Sequence, residues 1–210
     1  MERTVHTISQ EEGKLLIDFF VVGPEETIKN RKAARNKLIV LLMLDAGLRV
    51  GEVAQLKIND LYFTSVPNTN VMVRAAIAKN KRSRVVPSTA RLMEAIQKMS
   101  DKNWIEWSVL PNQHAFQGKG DHGHITTRQI ERIVSTASAK SIGRKIHPHT
   151  LRHTFATEVL SIANIKIVQN LLGHSSLATT QIYLHPNSGD LSRTIDKLNM
   201  VHEKTEKNSL

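Results

Sequence analysis

Cysteine is absent from the 210-residue chain, which excludes disulfides, thiolate zinc sites and a cysteine nucleophile, and suits a cytoplasmic setting. Aromatic residues make up only 4%, too few for the stacked platforms on which single-strand binders hold bases. No apolar stretch approaches the roughly 18 residues that span a bilayer. The longest, residues 38–44, runs straight into Asp45. Glu2, Arg3 and His6 precede any apolar run, so the pattern of a secretory signal is missing. A cytoplasmic protein with no membrane partner is the expectation.

Acidic residues are the minority, 19 against 29 lysines and arginines, for a net charge of +10. Such an excess is the electrostatic footprint of a nucleic-acid binder, because each neutralised phosphate releases condensed counterions. The cations also cluster, at Lys29, Arg31, Lys32, Arg35 and Lys37 and again at Lys79, Lys81, Arg82 and Arg84. Lys81, Arg82, Arg84 and Arg35 are therefore candidate phosphate contacts, and a nucleic acid is the expected partner.

Hydrophobic content of 40% and charged content of 23% are those of an ordinary globular chain. Its length suits one domain with or without an appendage. Residues 1–8 read as a linker or tail, 9–200 as the folded domain and 201–210 as a polar tail. Ser9 with Glu12 forms a capping box that opens a helix turning Leu15, Leu16, Phe19 and Phe20 inward. Residues 25–46 read as a long helix, basic at first and then continuously apolar, whose second half enters the core. Gly47 ends it with a left-handed cap. A short helix over 50–56 precedes three strand-like runs, 60–64, 70–78 and 84–86, turned at Pro67-Asn68 and at residues 80–82. Ser88 caps a helix over 89–99 that packs Leu92, Met93, Ile96 and Met99 on one face, and 111–124 read as loop. Helices follow at 126–140, 150–162, 164–172, 176–183 and 189–200. The fold class is mainly α with a small three-stranded antiparallel β-sheet, an α+β arrangement.

Four local patterns carry chemistry. In Ala46-Gly47-Leu48-Arg49-Val50-Gly51-Glu52 an arginine follows a helix-ending glycine, with a carboxylate one turn on. Such an arginine can offer its planar fork to a phosphate while Glu52 braces it; a plain surface pair fits the same residues. The hairpin from Ala78 to Arg84 holds Lys79, Lys81 and Arg82 at a turn, a phosphate contact or a solvated loop tip. In His147-Pro148-His149-Thr150-Leu151-Arg152-His153, Pro148 opens a helix and places His149 and Arg152 on one face. Last, Leu171-Leu172-Gly173-His174 lies nine residues before Tyr183.

These segments, AGLRVGE, the lysine hairpin leading into RVVP, HPHTLRHTFAT and LLGHSSLATTQIY, run in register from residue 46 to 183. Together the chain resembles the catalytic domain of the tyrosine recombinase, or phage integrase, family. The resemblance implies the family's catalytic-domain fold and a site-specific DNA recombinase, an enzyme that cleaves and rejoins strands through a 3′-phosphotyrosyl intermediate without metal or ATP. It implies Tyr183 as nucleophile, Arg49 and Arg152 as the grip on the scissile phosphate, and His149 as a proton-transfer partner or phosphate ligand. It makes His174 a further hydrogen-bonding group, Lys79 the acid for the leaving 5′ oxygen with Lys81 as alternative, Glu52 a supporting residue and His153 a structural one. It also implies double-stranded DNA as the partner that Lys81, Arg82, Arg84 and Arg35 contact, and a homo-tetramer on that DNA, with a monomer allowed in solution. The segment with Leu191, Ile195 and Leu198 then docks on a neighbour or closes its own domain.

The chain departs from the pattern in two places. Ala78-Lys79-Asn80 stands where the family usually has Gly-Lys-Gly, and the N-terminal DNA-clamping domain that precedes this region in most members is missing, as in a fragment or a compact enzyme. No cofactor and no metal are expected: the histidines at 147, 149, 153, 174 and 185 have no cysteine among them and Arg152 in their midst, and Gly118-Lys119-Gly120 lacks Walker spacing. Type IB topoisomerase-like relaxation and a DNA-binding regulator on a residual catalytic fold are the alternatives.

Overall fold

The computed structural model describes residues 6–104, 110–118 and 123–174. Helix α1 (Gln10–Asp18) begins at the expected capping box: the Glu12 N–H donates to Ser9 Oγ at 3.1 Å and the Ser9 N–H to Glu12 Oε2 at 2.9 Å. Its inner face is Leu16 and Ile17, and Phe20 just past its end is buried with them, whereas Leu15 and Phe19 are 49% and 42% exposed. Ile17 thus takes the inward place expected of those two.

Helix α2 (Ile28–Leu44) is the spine of the molecule, capped by Thr27. Every side chain from Leu38 to Leu44 is buried, because α1 and the later helices over residues 90–99, 127–141 and 148–162 all pack around it. After Asp45 the chain turns at Gly47 into α3 (Val50–Ala54).

The strands form two antiparallel pairs, not one sheet of three. β1 (Tyr62–Phe63) pairs with β2 (Val66–Pro67), and β3 (Asn70–Val73) with β4 (Arg84–Pro87). The first turn falls on Thr64 and Ser65, both at positive φ, not on Pro67-Asn68. β3 stops at Val73 because Arg74 is held from the side: Nε donates to both carboxylate oxygens of Asp60 at 3.0 Å and Nη2 to the Gln55 carbonyl at 2.9 Å. The backbone then curls, with Ile77 and Ala78 donating to the Arg74 carbonyl.

Helix α4 (Ala90–Met99) is capped by Thr89, whose hydroxyl accepts from the Leu92 N–H. The expected cap, Ser88, instead donates to the Asn68 carbonyl. Thr89 also reaches Asp45, which Arg91 grips with two bonds of 2.6 Å. Helices α5 (Thr127–Ser141), α6 (Pro148–Ile162) and α7 (Ile165–Leu172) complete the described fold. The helices expected at 176–183 and 189–200 lie outside the described residues, as does the segment with Leu191, Ile195 and Leu198. Among the described residues no helix is long and apolar enough to cross a membrane.

Candidate active site

Two glycine junctions build the site. Gly47, after α2, has φ +61°, and a Cβ there would lie 2.3 Å from Phe155 Cδ1. Gly173, after α7, has φ +62°, and its Cβ would lie 2.9 Å from Arg84 Cδ. Each helix therefore ends sharply at a residue that tolerates left-handed backbone and close approach. Arg49 and His174 follow.

Arg152 joins the two junctions. It is 4% exposed on α6, where its Nη1 donates to the Gly47 carbonyl. Nη2 donates to the Leu172 carbonyl at 2.8 Å and meets His174 Nε2 at 3.1 Å. A guanidinium only donates, so His174 Nε2 must accept and Nδ1 carries the ring proton. Burial, reinforced by the charges of Arg152, Arg49 and Arg84, brings His174 down from 6.5 to about 4. The ring is neutral near neutrality. The partners named for Arg152 on the backbone are carbonyl dipoles, so its charge is oriented without being cancelled by them.

Arg49 is the N-cap of α3. Its backbone N–H donates to Glu52 Oε2 at 2.8 Å and its Nη1 to Oε1 at 3.2 Å, the brace expected from the sequence. Glu52 is 1% exposed. Burial alone would raise its carboxyl pKa, but the hydrogen bonds and charge of Arg84, the Arg49 N–H and the Arg152 charge outweigh it and hold the group below 4.5. Pro148 sits in the first turn of α6 as expected, and His149 follows it at the surface. Partial desolvation and the Arg152 and Arg49 charges hold His149 below 6.5. His153, half-buried, has its ring 6.3 Å from that of His149.

Arg49, Glu52, His149, Arg152 and His174 are thus brought together. Lys79, Lys81 and Arg82 are exposed on the loop between β3 and β4, and Asn80 anchors that loop by donating Nδ2 to the Gly173 carbonyl at 3.1 Å. Arg35 is not beside them. It is half-buried, bonded to Asn36 Oδ1 at 3.0 and 3.1 Å, and lines a separate cavity with Arg31, Lys32 and Trp104. Arg84, expected on the DNA-facing surface, points inward instead, with its guanidinium on Glu52. Strand alternation carries this signal: Val86 is buried, and Arg84 two positions earlier shares its face. Tyr183 lies outside the described residues. Among the described residues no three His, Cys, Asp or Glu side chains are grouped as metal ligands would be.

Comparison with known proteins gives this arrangement a context. The phage integrase family profile matches residues 9–189. The chain is 37% identical over 177 residues to a tyrosine recombinase of Pseudothermotoga lettingae, covering 83% of this chain and 56% of that protein. It is 33% identical over 198 residues to the tyrosine recombinase XerA of Pyrococcus furiosus, covering 93% and 62%. The chain spans little more than half the length of such curated relatives. Among solved structures, a XerA recombinase crystal structure superposes with a TM-score of 0.68 at 31% identity, over 91% of this chain and 64% of that one. XerH bound to its difH substrate superposes at 0.70 with 24% identity, over 93% and 55%, a likeness of fold. Four motifs in register, the glycine junctions that present them and a profile match over most of the sequence lead to one conclusion: the chain belongs to the phage integrase family.

Proposed function

We propose that the chain is the catalytic portion of a site-specific DNA recombinase that cuts and rejoins double-stranded DNA through Tyr183. The observation that carries this reading is the convergence of Arg49, Arg152 and His174 on the two glycine junctions, with His149 in the field of both arginines and excess positive charge around Glu52. Attack on a phosphodiester builds negative charge on the non-bridging oxygens, and fixed guanidinium groups stabilise that charge where it develops. The relatives at 37% and 33% identity carry the name tyrosine recombinase, which supports the same reaction class.

In the proposed step Tyr183 Oη bonds to phosphorus while the bond from phosphorus to the 5′ oxygen breaks. The phenol proton passes to solvent or to neutral His149, and Lys79 supplies a proton to the leaving 5′ oxygen. The phosphotyrosine keeps the phosphodiester energy, so attack by a partner strand's 5′-hydroxyl reverses the step and releases Tyr183. Pairwise exchange between two duplexes requires four protomers.

The test is trapping on nicked duplex DNA carrying the element's own ends, comparing the unaltered chain with Tyr183→Phe on a denaturing gel. The expected result is a covalent adduct from the unaltered chain alone. DNA bound without an adduct would assign a DNA-binding regulator, and supercoil relaxation without strand exchange a topoisomerase.

A further inference from the structure

Arg84 is a buried cation to which strand cleavage by Tyr183 gives no task. Its side chain is 7% exposed. Nη1 donates to Glu52 Oε1 at 2.8 Å and Nη2 to Glu52 Oε2 at 2.7 Å, while Nε donates to the Leu171 carbonyl at 2.9 Å. Its stem occupies the space that a side chain at Gly173 would need. One guanidinium thus spans three segments: the box with Arg49 and Glu52, the strand β4, and the end of α7 before His174. These lie 32 and 87 residues from Arg84 along the chain. Asn80 fastens the same loop to the Gly173 carbonyl from its other end.

We propose that Arg84 is a positioning residue, a joint that sets Arg49 through Glu52 and His174 through the Leu171 carbonyl, and holds the lysine loop to both. This deepens the recombinase reading and rests on it. The phosphate grip and the acid for the leaving oxygen then move as one body. The residue type matters because the three bonds leave one planar fork in two directions, which a lysine's single nitrogen cannot reproduce. Buried ion pairs contribute little net stability, since desolvation offsets their attraction. What this one supplies is direction.

The experiment uses the full chain with Arg84→Lys and Arg84→Gln. Three quantities are read: the single-turnover rate of adduct formation on nicked duplex DNA, the DNA dissociation constant by anisotropy, and the titration of the His174 ring by NMR without DNA. The lysine variant keeps a cation beside Glu52 and is expected to fold. Its DNA affinity should stay within about two-fold, while cleavage falls by about 10- to 100-fold, the scale of a misplacement near 1 Å. His174 should titrate above its value in the unaltered chain, because the end of α7 is no longer held against Arg152. Should the glutamine variant fail to fold, the lysine variant decides. Cleavage by Arg84→Lys at the unaltered rate overturns the proposal, and so does a loss of rate that matches a loss of binding or of folded protein. Absence of any adduct from the unaltered chain sinks the recombinase reading instead. The joint then stands or falls on His174, and an unmoved titration overturns it.

Discussion

At Gly47 the backbone combines a positive φ with a phenyl ring where a methyl group would go. The two costs are separable. Left-handed backbone costs an L-residue about 1–2 kcal/mol, and overpacking a filled core typically adds about 1–3 kcal/mol. Gly47→Ala should therefore lower unfolding free energy by about 2–5 kcal/mol. Gly143 provides the comparison, since it has φ +74° and a Cβ there would meet nothing within 4 Å. Gly143→Ala should show the backbone cost alone. Urea denaturation of both variants checks this, and equal losses would mean that the Phe155 ring yields without cost. Gly47 also shows what sequence carries at this scale. A glycine closing an apolar run and preceding an arginine is legible as a junction, and so is the Glu52 brace. The grip of Arg152 on the Gly47 and Leu172 carbonyls is not, because those partners lie 105 and 20 residues away and are backbone atoms that any residue supplies.

Helices are the legible elements of this chain. Ser9 and Pro148 mark starts that the structure uses, since caps are local chemistry. Where two hydroxyls compete, as at Ser88 and Thr89, the winner is set by Asp45 and Asn68 from elsewhere in the fold. The strands are less legible still. The β1–β2 turn rests on Thr64 at φ 49° and Ser65 at φ 66°, residues that carry no signal for a two-residue hairpin, whereas Asn-Gly would. That mismatch predicts a gain. Replacing Thr64 with Asn and Ser65 with Gly relieves two left-handed backbone conformations that cost about 1–2 kcal/mol each. That gain outweighs the roughly 0.5–1 kcal/mol entropy cost of a glycine, so stability should rise by about 1 kcal/mol. The midpoint of denaturation should rise with an unchanged slope. An unmoved or lower midpoint would mean that the two residues are not held left-handed in solution. By contrast Ser9→Ala removes one partner of a formed capping box and should cost about 1 kcal/mol, read in the same assay.

At the scale of the whole molecule, on the recombinase reading, charge couples folding and DNA binding to pH with opposite signs. His174 is brought down to about 4 from 6.5, and burial and neighbouring cations lower His149, His153 and His114 in the same direction. For a histidine lowered on folding, the unfolded chain binds more protons throughout the interval between the two values. Its contribution is complete above pH 6.5 and is lost as pH falls toward the folded value. Glu158 is raised by burial and opposes this trend, one carboxyl against four imidazoles. Stability without DNA should therefore fall between pH 6.5 and 4, and His174→Asn should flatten that slope. Bound DNA reverses the sign. A phosphate between Arg49 and Arg152 would offset the cations that depress His174 and return its pKa toward the ordinary range. Binding then takes up a proton, so affinity at fixed salt should rise as pH falls through the same interval, provided the protein stays folded. A net charge of +10 makes any binding to DNA weaker at high salt whatever the pH, so ionic strength must be held constant. Anisotropy titrations across that interval, with the unaltered chain and His174→Asn, separate the two effects. A pH dependence identical in both proteins would show that His174 does not meet the phosphate.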